Sequence, residues 1–387
     1  MRKSFSCVLT TMLLLANLLL LSCQKEKPVN QPNPNPNPGT NTNALLANPQ
    51  QGNPITTGTI NNFTFVSKDT NVALIIGNNA SGKLYAIDIK DNDATQATQN
   101  AITNIPGFKA KIAQFMGITN LNQIAIMDME VNPISKAVYV LVKNNTSNAA
   151  GLFKVIGGTT IVPVNLSNVS YAAITFSTNN KLIQDMTWGE NELYVSMGGN
   201  WANLLDGEVG KISIPFTHNS SLKKKNTTVF THGRYNTKAP LEKMVYGKVK
   251  NEGRLMGVTT CAPGYSFKTS ALNTTGALDV KEYFDLMGGQ PQKVISVTQG
   301  TSTYLVELHS EPPFLVRIGE KFIDETQPSN DRSTSLFDPT TFPKVRTTGL
   351  TDNDIKIYTD VCYVMAKYSE NKVLVVDNTD QLKLITL

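Results

Sequence analysis

Apolar and polar positions recur in one pattern along most of the chain. Each copy has a short apolar strand, a turn of Gly, Asn, Pro or Ser, and a second strand rich in Tyr, Val and Leu. The copies span residues 62–76, 126–142, 183–197, 241–258, 291–308 and 358–376. Because the sequence has hardly any helical periodicity, the pattern predicts antiparallel hairpins throughout.

A third strand follows the hairpin in each copy. These segments read GKLYAIDI, GLFKVIG, GEVGKISIP, GYSFKTSAL, FLVRIGE and QLKLITL, and a fourth strand is visible in some copies, such as NTTVFTH at 226–232. The second strands recur at steps of 49 to 70 residues. Units of three to four antiparallel strands predict an all-β, six-bladed β-propeller, with seven blades as the runner-up. A pair of β-sandwiches is the structural alternative, but it would not explain the repeat.

The two ends of the repeat suggest how the ring closes. The last unit stops three strands in, and the segment PITTGTI at 54–60 precedes the first unit without belonging to one. Pairing this N-terminal strand with the last blade would remove two exposed sheet edges. We therefore expect residues 54–60 to close the propeller.

The repeat units of the form D-M-x(n)-Y-V and the segment MGVTTCAPGYSF at 256–267 resemble a superfamily of secreted propellers. It includes the YVTN-repeat and quinoprotein-amine-dehydrogenase-like proteins. The resemblance covers most of residues 56–387 and implies the propeller fold. The superfamily contains enzymes, but no residue-by-residue match to a catalytic set supports carrying an activity over.

The N-terminus has the pattern of a signal peptide. Arg2 and Lys3 precede an apolar run over 8–21, which is shorter than the ~20 residues that span a bilayer. The run ends in Leu20-Leu21-Ser22-Cys23, which resembles a bacterial lipobox. The resemblance implies a signal peptide at 1–22 and acylation of Cys23. An ordinary secretory signal is the alternative.

The residues after Cys23 predict a tether. Residues 23–54 are rich in Asn and Pro and contain little to bury, which is typical of an extended spacer. The propeller domain is therefore predicted at 55–387. The Lys and Glu residues at 24–27 resemble the export tether of Bacteroidota lipoproteins, and the cysteine is not followed by Asp. We expect a cell-envelope, outer-membrane lipoprotein, with surface exposure left open.

Charge excludes one class of partner. Without Arg2 and Lys3, 33 basic residues stand against 30 acidic ones, a net charge near +3 that does not favour nucleic-acid binding. The one basic run, 223–225, is predicted to be a solvated loop. The predicted partners are the membrane, through the lipid anchor, and an envelope protein or a glycan. Cys261 and Cys362 form either a disulfide or two buried thiols.

A candidate ligand-binding rim follows from the propeller geometry. The innermost strands are predicted to begin at Asp128, Asp185, Lys243, Lys293 and Asp360, with Asn62 as a sixth, and the second strands to end near Asn78, Asn144, Trp201, Cys261, His309 and Asp377. One face should then carry a mixed-charge ring with Trp201, Cys261 and His309 around it. This ring could bind a polar ligand or a cation, or its charges could simply pair with each other and with backbone groups.

Motifs for catalysis are missing from the sequence. The mature chain has three histidines without metal-ligand spacing, and no Gly-rich phosphate loop, Gly-x-Ser-x-Gly or C-x-x-C-H motif. A thiolate pair of Cys261 and His309 is a weaker alternative. We predict no catalytic residue and no cofactor apart from a bound cation in the channel. The leading hypothesis is a lipid-anchored binding or interaction module, and the alternative is a propeller hydrolase or oxidoreductase that uses the polar rim.

Overall fold

The computed structural model describes residues 43–177, 181–199, 206–227, 229–231, 235–259, 264–275, 278, 280–283, 291–310, 313–320, 323, 351, 353–358 and 362–387. The predicted signal peptide, Cys23 and most of the tether lie outside these ranges. None of the helices in the described ranges is long and apolar enough to cross a membrane.

The described residues are mostly β-structure. The first strands are β1 (Leu46–Ala47), β2 (Gln50–Gly52), β3 (Asn62–Lys68), β4 (Asn71–Asn78), β5 (Lys83–Asp88), β6 (Ile105–Pro106), β7 (Ile124–Val131), β8 (Val138–Asn144), β9 (Ala150–Ile156), β10 (Thr160–Pro163), β11 (Val169–Thr175), β12 (Leu182–Gly189), β13 (Glu192–Gly198), β14 (Glu208–Ser213) and β15 (Phe216–Thr217). The others are β16 (Ser220–Ser221), β17 (Lys223–Asn226), β18 (Val229–Thr231), β19 (Tyr235–Thr237), β20 (Leu241–Val249), β21 (Glu252–Thr259), β22 (Gly264–Lys268), β23 (Lys281–Tyr283), β24 (Pro291–Gln299), β25 (Ser302–Ser310), β26 (Pro313–Gly319), β27 (Ile355–Tyr358), β28 (Cys362–Lys367), β29 (Lys372–Asp377) and β30 (Gln381–Thr386). An α-helix, α1, spans Phe108–Phe115, and short 3-10 helices span Thr57–Thr59, Ala94–Ala97, Leu121–Gln123 and Thr269–Asn273.

Six antiparallel sheets form the predicted six-bladed β-propeller. From the innermost strand outward, the blades are β3-β4-β5-β11 (blade 1), β7-β8-β9-β10 (blade 2), β12-β13-β14-β17 (blade 3), β20-β21-β22-β23 (blade 4), β24-β25-β26-β27 (blade 5) and β28-β29-β30-β6 (blade 6). Each predicted hairpin supplies the two inner strands of its blade. The six predicted third strands are β5, β9, β14, β22, β26 and β30.

The blades do not follow each other around the ring in chain order. Six hydrophobic clusters join blades 2 and 1, 1 and 3, 3 and 4, 4 and 5, 5 and 6, and 6 and 2. The order around the axis is therefore 2-1-3-4-5-6. After three strands of blade 1, the chain adds β6 to blade 6 and then builds blade 2, on the side of blade 1 opposite blade 3. It returns as β11 to finish blade 1 and then continues to blade 3.

Both faces of most blades are buried, which explains the continuous apolar runs of the second strands. In β4, for example, seven consecutive residues from Val72 to Asn78 are buried. Side chains of alternating residues face opposite neighbours, so Ile75 packs between blades 1 and 3 while Leu74 and Ile76 pack between blades 1 and 2.

Ring closure uses a different N-terminal segment from the one predicted. Residues 54–60 do not pair with the last blade; they contain a 3-10 helix, and Ile55 and Ile60 are buried between blades 1 and 2. The closing strand is β6, in which Ile105 pairs with Leu382 and Pro106 with Gln381 of β30. The edge is therefore protected as expected, but by a segment that follows the first hairpin unit.

Two further boundaries differ from the prediction. Residues 43–54 belong to the folded body rather than to the tether, because Leu45 and Leu46 are buried between blades 1 and 3 and β1 and β2 pair with β15 and β11. The fourth strand of blade 3 is β17, which contains the lysine run predicted to be a loop. Residues 229–231 pair instead with β19.

Helix α1 is tied to the closure by Asp380. The Asp380 carboxylate accepts hydrogen bonds from the backbone N–H groups of Lys109 (2.6 Å) and Ala110 (3.3 Å), and the Asp380 carbonyl accepts one from Phe108 (2.9 Å). A carboxylate at a helix N-terminus satisfies otherwise unpaired donors and interacts favourably with the helix dipole. This contact links the segment after β6 to the turn before β30.

We predict that Asp380→Gly lowers the free energy of unfolding by about 1 kcal/mol, because the helix loses its capping carboxylate. Glycine is chosen because Asp380 has φ +61°, where alanine would add strain. Asp69→Gly is the matched control, since Asp69 lies in a turn with φ +54°. Guanidinium unfolding measures both variants, and equal effects would contradict the capping role.

Candidate functional site

Five innermost strands contain a β-bulge near the start, and in four of them a predicted rim residue follows it. The register shifts lie between Ile126 and Asp128, Ile183 and Asp185, Leu241 and Lys243, Pro291 and Lys293, and Cys362 and Val364. A bulge leaves one residue unpaired and re-aims its neighbours. The four charged residues lie two to four positions inside their strands, rather than at the strand starts as predicted.

Blade 6 departs from the predicted charged ring. The residue after its bulge is Val364, so an apolar side chain takes the place that the sequence prediction gave to Asp360. Asp360 itself, like Trp201 and Cys261, lies outside the described residues.

An ion-pair network crosses the channel. Lys293 Nζ of blade 5 lies 2.8 Å from Asp128 Oδ1 and 2.5 Å from Glu130 Oε1, both on blade 2. Blade 6 stands between these two blades in the ring, so the pairs connect blades that are not neighbours. The Asp128 carboxylate also accepts a hydrogen bond from the backbone N–H of Met129 at 2.8 Å.

Asp185 joins two neighbouring blades. Its carboxylate accepts hydrogen bonds from the backbone N–H of Met186 on its own strand (2.8 Å) and of Met244 on blade 4 (2.7 Å). Two positions further along, the Thr187 hydroxyl accepts one from the backbone N–H of Tyr246. Four of the eight predicted rim residues, Asp128, Asp185, Lys243 and Lys293, are thus brought together, and the charges of Asp128, Asp185 and Lys293 are paired or bonded to backbone.

Burial and crowding of charge shift the pKa values of this group. Burial raises the pKa of Glu130 to about 7, with a further contribution from the Asp128 carboxylate and opposition from Lys293. Burial also raises the pKa of Asp185, while Lys293 and Lys243 oppose that shift. For Lys293, burial alone would lower the pKa, but the carboxylates outweigh it and the net shift is upward.

A cavity of about 530 Å³ continues from this network along the axis. Every innermost strand contributes to its wall, one residue from each blade being Thr64, Glu130, Asp185, Met244, Lys293 and Lys367. Among the described residues, no three His, Cys, Asp or Glu side chains are arranged to hold a metal ion. The positive charge between Asp128 and Glu130 is supplied by Lys293, and the predicted bound cation stays a prediction.

The cavity opens at the face that carries the turns between first and second strands. Lys136, Lys248, Lys367 and Glu370 lie at this mouth. Lys367 Nζ is 3.0 Å from the Glu370 carboxylate, which also accepts a hydrogen bond from the backbone N–H of Thr298. Burial and the nearby Lys367 ammonium lower the pKa of Lys136, with Glu370 opposing.

His309 does not line the cavity. It is buried in β25, where its ring stacks on Phe314 with centroids 4.5 Å apart and its Nε2 lies 3.3 Å from Glu307 Oε2. Burial raises the pKa of Glu307, and His309 opposes the shift. This pair belongs to the packed interior of blade 5. Cys362 is buried between blades 5 and 6.

The predicted ends of second strands are correct where they are described. Asn78, Asn144 and Asp377 each end such a strand. Their side-chain oxygens accept hydrogen bonds from backbone N–H groups two to four residues later, as in Asx turns. These residues therefore shape the turn to the third strand.

Sequence reasoning missed the other charged residues of the cavity. Glu130 is two positions after Asp128, and since alternate residues of a strand share a face, its location could have been inferred. No sequence pattern identifies Lys136 and Lys367 as cavity residues. Their proximity depends on blades 2 and 6 being neighbours, which the repeat alone does not reveal.

We predict that stability falls as the pH rises from 5 to 8, and that Glu130→Gln reduces this slope. The pKa of Glu130 is raised from 4.5 to about 7, so its contribution is complete below about pH 4.5 and is lost as the pH rises through 7. The effect is at most about 3 kcal/mol. Unfolding at several pH values measures it, with the exposed Glu252→Gln as control. Parallel curves for wild type and Glu130→Gln would contradict the assignment.

No protein-family model matches the chain, and no curated protein matches its sequence. Solved structures with similar folds include the β-propeller domain of Cps50 (Swd1) from Myceliophteria thermophila, with 7% identity, a TM-score of 0.36, and 85% of this chain and 99% of that chain covered. Semaphorin 1a from Drosophila, extracellular domains 1-2, has 10% identity, a TM-score of 0.37 and 87% coverage of each chain. Hydrazine synthase from Kuenenia stuttgartiensis has 9% identity, a TM-score of 0.35, and 81% and 80% covered. At these levels the similarities carry no argument about function, and the six-bladed propeller rests on the strand pairing.

Proposed function

We propose that this propeller is a binding module that receives a small polar ligand in its central cavity. The observation that carries the proposal is a cavity bounded by all six innermost strands, with Glu130, Asp185 and Lys293 in its wall. Small-molecule sites are typically pre-formed concave cavities of ≈ 300–1,000 Å³ with a few placed polar groups. The volume of about 530 Å³ lies in this range.

The hydrogen bonds around the cavity support a rigid site. Asp128 and Asp185 are fixed by backbone N–H groups, and Trp188 donates from its indole nitrogen to the Ser67 carbonyl at 3.1 Å. Groups held in this way lose little freedom when a ligand binds, which favours affinity. The same residues would also give a ligand a defined orientation.

The enzyme alternative depends on Glu130. A carboxyl group with a pKa of about 7 suits general acid–base chemistry at neutral pH. A reaction would consume the bound ligand, and that consumption would stop in Glu130→Gln. We favour binding because Glu130 is already engaged by the Lys293 ammonium group at 2.5 Å, and the pKa of Lys293 is raised by the surrounding carboxylates, which disfavours its nucleophilic neutral form.

The cellular part of the proposal rests on the N-terminal sequence. We infer that Cys23 is acylated and holds the propeller at the bacterial envelope, as an outer-membrane lipoprotein related to YVTN-like propellers. The lipobox-like Leu20-Leu21-Ser22-Cys23 supports the anchor. The charged residues that follow support export beyond the inner membrane. An envelope protein or glycan remains the proposed source of the ligand.

The cavity is tested by filling it. Thr298 lines the mouth and is partly exposed, so Thr298→Trp should block entry, whereas Thr301→Trp, in the exposed turn beyond β24, should not. Saturation-transfer NMR against amino acids, short peptides, hexoses and nucleoside monophosphates should find a class that binds wild type and Thr301→Trp. Binding to Thr298→Trp should fall at least tenfold. The proposal would be refuted if no class of compound binds, or if Thr298→Trp binds the ligand as tightly as the wild type.

The anchor is tested by labelling cells that express the full chain with an alkyne-bearing palmitate. Wild type and Cys7→Ser should be labelled and sediment with membranes, because Cys7 lies in the segment that is removed. Cys23→Ser should be unlabelled. Release of an unlabelled wild-type protein would instead indicate an ordinary secretory signal.

A further inference from the structure

We propose that the ligand of the central cavity is a short peptide-like zwitterion, with its ammonium group beside Glu130 and its acidic group between Lys136 and Lys367. The inference rests on the function proposed above and adds the chemical class and the orientation of the ligand. It comes from the separation of charge along the cavity.

The inner end of the cavity is rich in carboxylates. Asp128, Glu130 and Asp185 gather there against Lys293 and Lys243. Because three carboxylates face two ammonium groups, the fully ionised group carries one net negative charge. A further positive group would relieve the repulsion that the carboxylates exert on each other.

Of the two carboxylates of this group that line the cavity, Asp185 accepts backbone hydrogen bonds at both oxygens, so Glu130 is the one that a ligand can engage. Its side chain lines the cavity and is 23% exposed, against 13% for Asp128. Lys293 contacts Oε1 of Glu130, and the second carboxylate oxygen can accept a hydrogen bond from a ligand. A primary ammonium group, with three donors, suits this position.

The mouth has the opposite character. Lys136 and Lys367 come from the neighbouring blades 2 and 6 and both line the cavity. Lys367 is paired with Glu370, whereas no carboxylate of a described residue lies within ion-pair distance of Lys136. The half-buried Lys136 is repelled by Lys367. A carboxylate placed between them would turn this repulsion into two attractions.

The distance between the two ends sets the size of the ligand. Lys293 and Thr298 are five residues apart on β24, which corresponds to about 16 Å along the strand. Glu130 lies nearer the mouth, one residue before the end of β7. The interval left for the ligand is therefore about 10 Å, the extended length of roughly three residues of peptide. Met244 and Ile295 add apolar wall for small side chains.

Trialanine and its terminally blocked forms provide the probes. Trialanine carries both charges, N-acetyl-trialanine only the acid, and trialanine amide only the ammonium group. Isothermal titration calorimetry at neutral pH should show that each block weakens binding about tenfold, and blocking both ends should weaken it further.

Two variants assign the ends. Glu130→Gln should weaken trialanine and its amide about tenfold but leave N-acetyl-trialanine unchanged. Lys136→Met should weaken trialanine and N-acetyl-trialanine but leave the amide unchanged. Lys372→Met, on the exposed surface of β29, is the control and should bind all probes like wild type.

The outcomes separate this inference from the proposed function. The zwitterion proposal would be overturned if blocking the peptide termini did not change the affinity, or if both variants weakened all probes equally. Either result would still leave a cavity that binds ligands. The same holds if no peptide binds but another class from the NMR panel fills the cavity. If neither peptides nor any panel class binds, the proposed function fails as well.

Discussion

Every blade of this protein has two apolar faces, and the need to bury both of them forces the sheets into a closed ring. In the part of the chain that the structure describes, the six clusters between neighbouring blades form one continuous belt. Closing the belt requires contact between residues as distant in sequence as Ile105 and Leu382. The loop that this contact closes costs conformational entropy, which the large cluster between blades 2 and 6 must offset. Strand β6 and the Asp380 cap of helix α1 both lie at this closing contact, so their hydrogen bonds help to offset the entropy cost.

The ring creates a second constraint at its axis. The innermost strands converge there, and charged side chains on them lose water on closure, which is costly unless they pair. Lys293 reduces this cost by pairing with Asp128 of blade 2, and Asp185 does so by accepting hydrogen bonds from backbone donors of blades 3 and 4. The structural interpretation of the rim, in which charges pair with each other and with backbone, is therefore correct for these residues. The charge at the axis that these ion pairs and hydrogen bonds do not neutralise is available to interact with a ligand.

The sequence predicted the parts of the fold that have local signals. Inner hairpins are buried on both faces and end in turn residues such as Asn78 and Asn144, so their pattern is strong. The outer strands are short and exposed, and the lysine-rich sequence of β17 is typical of a surface loop rather than a strand. The closing strand has two residues, too few to form a pattern. The exchange of blades 1 and 2 leaves no trace in the repeat, because the order of blades is a property of long-range packing.

The same division applies to the site. Asp128, Asp185, Lys243 and Lys293 could be predicted because the repeat places them at equivalent positions, whereas Val364 could not, since the bulge that sets its register is seen only in the strand pairing. The lysines of the mouth differ from the charges at the axis in one physical respect. Lys136 occupies φ +59°, where Asn or Gly would be less strained, and it gains no ion pair among the described residues. Neither backbone conformation nor electrostatics within the ring favours a lysine there. Lys90 and Lys250 share the backbone conformation, with φ +53° and +50°, so the feature peculiar to Lys136 is its half-buried ammonium group on the cavity wall beside Lys367. An acidic group of the proposed ligand would offset that electrostatic cost without any change in the backbone.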